Sequence, residues 1–298
     1  MNRNVGVVGV GNIGMGIATN LVKAGFKVHV YDIRPEPLAK LEEIGAIPAE
    51  NIQALAKNCP LIFSVLLTYN QTLSIFSGPD GLVENLKFGS TIFVCSTISP
   101  TEAKNLADIA NAKGIRCLDS PVSGGPEGAN AGTLTLMLGG DENARVEHQL
   151  ALEAISANIY HFGDVGSGET AKAINNLLVA VNIAAVGEAM ILASKSNLDL
   201  KKIYQLISNS AGNSYVFKER AVRIRKRDFT TKGALKILLK DTNIINDAAR
   251  SLKLVLPLTN VANQLYLAGV NNGWGDEDDA AVVKIIEKLS NYTIECSE

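Results

Sequence analysis

Gly9, Gly11 and Gly14 stand in the spacing G-x-G-x-x-G, directly after the apolar run Val5-Gly6-Val7-Val8 and just before a helix-like segment over residues 17–24. A second strand-like run, residues 27–31, ends at Asp32. Strand, glycine turn, helix, strand and terminal acid together read as the first βαβ unit of a dinucleotide-binding fold. The glycines alone would be a weak signal, because 26 of them in 298 residues give chance matches. Their neighbours carry the weight. Gly9 serves the tight turn, Gly11 admits a pyrophosphate close to the backbone, and Gly14 lets the helix pack on the strand. The N–H groups at the helix start, where Asn12 and Ile13 lie, offer a positive dipole end to phosphates. Asp32 is placed to accept a ribose 2′-hydroxyl and to repel a 2′-phosphate, so NAD is favoured over NADP. Arg34, just beyond, argues the other way, because a guanidinium pairs with phosphate.

A chain of 298 residues with 47% hydrophobic content has room for two cores. A net charge of -2 gives no reason to expect nucleic acid as a partner. Basic residues cluster once, over residues 220–227, and read as a solvated face. Cys59, Cys95, Cys117 and Cys296 show no C-x-x-C pair and no metal spacing, so no metal is expected. They read as reduced, mostly buried residues of a cytoplasmic protein. The apolar N-terminus is interrupted by Asn12 and its glycines, unlike a signal peptide. No uninterrupted apolar run approaches the roughly 18 residues of a membrane span, so a soluble protein without a membrane partner is expected.

Strand-like and helix-like text alternates through the first half. Residues 61–66, 91–95, 116–119 and 134–138 are short, nearly continuous apolar runs, as in strands covered on both faces. Residues 34–44 and 100–113 read as helices, the second capped by Ser99 or Thr101. From Gly166 onward almost nothing reads as strand. Helices are expected over residues 170–195, 200–208, 234–252, 257–268 and 278–289. The fold expected is α/β: an N-terminal nucleotide-binding domain, a doubly wound parallel sheet over residues 1–163, then an all-helical C-terminal domain over residues 164–298.

Two further constellations carry chemistry. Ser123-Gly124-Gly125 follows a strand end, where open α/β sheets place ligands, and its hydroxyl and exposed N–H groups suit a carboxylate. Lys172, Asn175 and Asn176 stand at i, i+3 and i+4 on one helix face that continues as Val179, Ala180 and Ile183. A lysine drawn into such a stripe loses its proton more readily than one in water, which suits a general acid/base. The plain alternatives are an ordinary turn and a solvent-facing lysine.

The segments GVGNIGMGIATNLVKAGFKVHVYD, DSPVSGGPEGANAGTLTLMLGG, GSGETAKAINN and ILLKD, in this order, resemble the β-hydroxyacid dehydrogenases, a family that includes 3-hydroxyisobutyrate dehydrogenase and tartronate semialdehyde reductase. The resemblance covers essentially the whole chain. It implies a Rossmann domain over residues 1–163, a long interdomain helix opening the helical domain, and Lys172 as the catalytic residue with Asn176 beside it. Ser123, Gly124, Gly125 and Asn175 would bind the substrate. Leu66, Leu67, Gln71, Thr97 and Lys240 would join the glycine turn and Asp32 in holding the cofactor. The family commonly has proline where Leu67 stands and alanine where Ser120 stands. Imine reductases and non-catalytic nuclear relatives resemble this chain but lack the lysine, so Lys172 argues for alcohol chemistry.

The expected reaction is reversible hydride transfer between a small hydroxy acid and a nicotinamide, by a homodimer or homotetramer. Residues 212–217 and 272–279 look most like the branch acting on four-carbon sugar acids such as threonate, with Asn213, Ser214 and Tyr215 facing a polyhydroxylated tail. A 3-hydroxyisobutyrate dehydrogenase, or a tartronate or succinic semialdehyde reductase, is the nearest alternative. From another class stands a dinucleotide-binding protein without catalysis. A 6-phosphogluconate-type enzyme shares the lysine–asparagine spacing but is longer.

Overall fold

The computed structural model describes residues 3–296. The first half alternates strands and helices as their apolar runs dictate. Strands β1 (Asn4–Val8), β2 (Lys27–Tyr31), β3 (Ile47–Pro48), β4 (Leu61–Ser64), β5 (Thr91–Val94) and β6 (Arg116–Asp119) form one parallel sheet in the order β3-β2-β1-β4-β5-β6. Strand order reverses between β1 and β4, and ligands of open α/β sheets sit outside the carboxyl ends of strands at such a point. One face of the sheet packs on Ile17, Leu21 and Leu41, the other on Phe76, Leu82 and Leu106. Every residue of β4 and β5 is buried, which is why both read as unbroken apolar text. Ser99 caps helix Pro100–Asn111 in a capping box with Glu102.

A second, smaller sheet, β7 (Val122–Ser123), β8 (Leu134–Leu138) and β9 (Ser156–His161), extends this half. β9 gives no sequence signal, since only its first residue is buried and no apolar alternation results.

The chain divides into two compact units, Met1–Lys172 and Ala173–Glu298. The division falls inside helix Ser167–Lys195, whose first turns are bonded to the end of β6. Among the described residues the second unit is built of helices, with an isolated bridge between Ala234 and Asp278: Leu200–Ser208, Tyr215–Lys226, Leu235–Ser251, Pro257–Gly269 and Val283–Ser290 join the remainder of the long helix. That helix is long and apolar enough to cross a membrane. Yet Ala180, Ile183 and Met190 are fully buried in this unit's two cores, around Tyr266 and Phe217.

The basic stretch over residues 220–227 is not the solvated face its composition suggests. Its residues up to Lys226 lie on helix Tyr215–Lys226, which Arg227 follows as the C-cap, and Arg223 and Arg225 are buried. Arg220 forks onto Asp279 at 2.6 and 2.9 Å, Arg223 Nε lies 3.2 Å from Asp278, and Arg227 reaches Glu287 at 2.5 Å. These arginines tie helices together by ion pairs whose acids lie far along the chain.

Candidate active site

The turn after β1 is shaped by close approach. Gly9 has φ +85°, and a Cβ there would lie 2.4 Å from the Val65 carbonyl oxygen. A Cβ on Gly14 would lie 1.9 Å from the Gly9 oxygen, so only glycine lets helix Asn12–Lys23 start this near the strand. Among the described residues no side chain caps that helix. Its free N–H groups and positive end are the donor set a pyrophosphate needs, so the turn fits a dinucleotide. Asn12 is exposed and Ile13 half-buried beside the opening. A cleft of about 360 Å³ runs along it, lined by Gly11, Asn12, Arg34 and Lys40 among others.

Asp32 follows the end of β2. It accepts the Val10 N–H at 2.9 Å, and Arg34 binds it through Nε to Oδ1 and Nη2 to Oδ2, both at 2.9 Å. The Arg34 hydrogen bond holds the Asp32 carboxyl below its usual range, against the opposing effect of burial. The guanidinium is thereby held near Gly11, within 3.6 Å of where a Cβ would stand.

Beyond β4, Gln71 is committed to structure. Its Oε1 accepts the Leu67 and Thr68 N–H groups at 3.1 and 3.2 Å, within a Thr68 capping box. It therefore shapes the loop carrying Leu66 and Leu67 rather than presenting its amide oxygen. The Leu66 N–H also reaches Ser96 Oγ at 3.3 Å, just before the half-buried Thr97. Ser96 is a buried organiser of this loop that the motifs did not single out.

Past β6 the chain passes through Ser123 at the end of β7 and then Gly124, with φ +128°, and Gly125, both exposed. Lys172 lies 9% exposed at the second turn of the long helix, and its Nζ donates to the Val122 carbonyl at 2.7 Å. The ammonium is thus bonded to the residue preceding Ser123. This joins two motifs that stand far apart in sequence.

One helical turn on, the amides form a chain. Asn175 Nδ2 donates to Asn176 Oδ1 at 2.9 Å, and Asn176 Nδ2 donates to Asp241 Oδ2 at 2.7 Å. Lys240 Nζ lies 2.9 Å from Asp241 Oδ1. Asp241 fixes which way the Asn176 amide points. Its only sequence signal is its place beside Lys240 in the ILLKD segment. Elsewhere in this unit, Ser214 spends its hydroxyl on the Phe217 N–H, and Asn213 Nδ2 binds the Ser208 carbonyl. Tyr215 is 75% exposed. The hydroxyl and amide donor expected to face a polar substrate tail thus serve helix capping and loop closure.

Among the described residues no group of three or more His, Cys, Asp or Glu side chains is placed to hold a metal ion. Residues 4–163 match the NAD binding domain of 6-phosphogluconate dehydrogenase, and residues 166–286 match the NAD-binding domain of NADP-dependent 3-hydroxyisobutyrate dehydrogenase. With the relatives that follow, these matches make the chain an oxidoreductase acting on CH–OH groups with a nicotinamide cofactor. The chain is 36% identical over 286 residues to the L-threonate dehydrogenase of Cupriavidus necator, covering 96% of each. It is 34% identical over 291 residues to the 2-(hydroxymethyl)glutarate dehydrogenase of Eubacterium barkeri, covering 97% of each. The crystal structure of a 3-hydroxyisobutyrate dehydrogenase from Salmonella typhimurium matches with a TM-score of 0.88 at 35% identity, covering 95% of this chain and 99% of that one. The chain belongs to the β-hydroxyacid dehydrogenase family, of the 3-hydroxyisobutyrate dehydrogenase type.

Proposed function

We propose that this protein oxidises a small hydroxy acid reversibly with NAD, with Lys172 as general acid/base. The observation that carries the reading is the 2.7 Å hydrogen bond from Lys172 Nζ to the Val122 carbonyl. It sets the amine beside the Ser123-Gly124-Gly125 loop, whose hydroxyl and N–H groups suit a carboxylate. A bound nicotinamide would accept the hydride. In the oxidation direction neutral Lys172 takes the hydroxyl proton, and in reduction its ammonium returns it. Asn176, one turn further on the same helix, orients the hydroxyl. Its amide is held ready by Asp241.

NAD is favoured because Asp32 is the first acid after β2 and accepts the Val10 N–H at the turn. The substrate class is a threonate-like sugar acid, supported by the L-threonate dehydrogenases among the relatives. A branched 3-hydroxy acid is the second reading, supported by relatives named for such substrates. A homo-oligomer is the inferred working form, since Ile174, Leu178 and Leu192 leave apolar surface on the long helix.

The test is a panel of acids with purified protein and NAD. L-threonate is expected to exceed 3-hydroxyisobutyrate and glycerate in kcat/KM, and the reverse order would move the assignment to the second reading. A Lys172→Ala protein is expected to bind NAD yet lose at least about a hundredfold in turnover. Near-normal turnover in that variant would remove the lysine from the mechanism.

A further inference from the structure

Asp119 closes β6, four residues before Ser123, and its side chain is almost wholly buried. Its carboxylate faces the start of the long helix. Oδ1 accepts the Gly166 N–H at 2.7 Å and Oδ2 the Glu169 N–H at 2.8 Å. Two glycines make the space. A Cβ on Gly139 would lie 2.6 Å from Oδ1, and one on Gly168 would lie 2.8 Å from Oδ2. Lys172 follows Glu169 by three residues, a rise of about 4.5 Å along the helix.

The segment running from Asp119 to Ser123 is itself pinned. Asp119 exchanges backbone hydrogen bonds with Gly139 at 2.9 and 3.1 Å, Ser120 donates to the Val94 carbonyl at 2.7 Å, and Met137 donates to the Pro121 carbonyl at 3.1 Å. One rigid segment therefore holds the helix start through Asp119 and receives the lysine amine through the Val122 carbonyl. The Glu169 side chain adds a second tie, its Oε2 accepting the Ile98 N–H at 3.3 Å beside Thr97.

The geometry points to Asp119 as a positioning residue that fixes the height of Lys172 above the Ser123-Gly124-Gly125 loop. This rests on the reading of Lys172 as the general acid/base. An anionic carboxylate at a helix start is favoured by the dipole, and its two oxygens hold two N–H groups at once. Asparagine in its place turns one acceptor into a donor that faces an N–H. The helix start must then shift, and Lys172 shifts with it.

The test compares Asp119→Asn and Asp119→Ser with the unmodified protein and with Lys172→Ala, using NAD and the best acid of the panel. Asp119→Asn is expected to lower kcat by about 10- to 100-fold, with NAD affinity within about twofold of the unmodified protein. The acid limb of its pH profile should be displaced, because that limb reports the ionisation of Lys172. Asp119→Ser, which retains one capping acceptor, is expected to fall between. An unchanged kcat or an undisplaced limb in Asp119→Asn overturns the proposal. Loss of folding or of NAD binding in both variants also overturns it, since the role would then be that of the fold alone. Full turnover in Lys172→Ala removes the reading beneath it, whereas an inactive Lys172→Ala beside a normal Asp119→Asn removes this proposal alone.

Discussion

Arg34 grips Asp32 with two parallel 2.9 Å hydrogen bonds, so the acid that should select the ribose is partly neutralised by a cation two residues on. Selection between the two nicotinamide cofactors then depends on the pair. Arg34→Ala would leave the carboxylate, still accepting the Val10 and residue-34 N–H groups, without a cation between it and any 2′-phosphate. It is expected to widen the preference for NAD over NADP by roughly tenfold, read as the ratio of kcat/KM values. An unchanged ratio would show that Arg34 contributes nothing to phosphate tolerance, and a narrowed one that it opposes the phosphate.

Asp241 holds the buried Asn176 amide and lies against Lys240. Asp241→Ala leaves the Asn176 N–H without that acceptor, at a cost of roughly 1–3 kcal/mol. Urea unfolding should show that loss, and kcat/KM for the acid should fall along with it. Unchanged stability would mean that the amide finds another partner.

Burial raises the Asp279 carboxyl from 3.8 to about 6, and the Arg220 fork offsets this only in part. The folded protein therefore binds this proton more tightly than the unfolded chain does. Stability falls as pH rises between those two values and levels above them. Asp279→Asn should flatten that part of the profile, measured as urea midpoint against pH. An identical slope would assign it to other groups, such as Asp119, whose carboxyl burial also raises.

Ser99 makes a complete capping box with Glu102. Ser99→Ala is expected to cost about 1 kcal/mol, or a fall of about 2–4 °C in Tm, with the affinity for NAD unchanged. A larger fall would mean that Ser99 supports more than its own helix.

The alternation of apolar runs made the parallel sheet readable in advance, because β4 and β5 are covered on both faces and admit no polar residue outside Ser64 and Thr91. The glycine turn was readable for a related reason, since Gly9 and Gly14 tolerate no side chain. What stayed hidden was pairing at long range. The arginines over residues 220–227 look solvated until Asp278, Asp279 and Glu287 are folded against them. Asp119 and Asp241 looked like flanking letters of motifs, because a capping or orienting acid is defined by its partner and not by its own neighbours. β9 was missed because its mostly exposed residues carry no periodic signal.

The four thiols divide three to one. Burial pushes those of Cys59 and Cys95 up to about 12 and raises that of Cys117 as well, while Cys296 is exposed near the end of the chain. A thiol reacts as its thiolate, so a maleimide at neutral pH has one accessible target in the native protein. A fluorophore or a surface linker can therefore be attached at a single known point without mutagenesis, and far in sequence from the glycine turn and from Lys172.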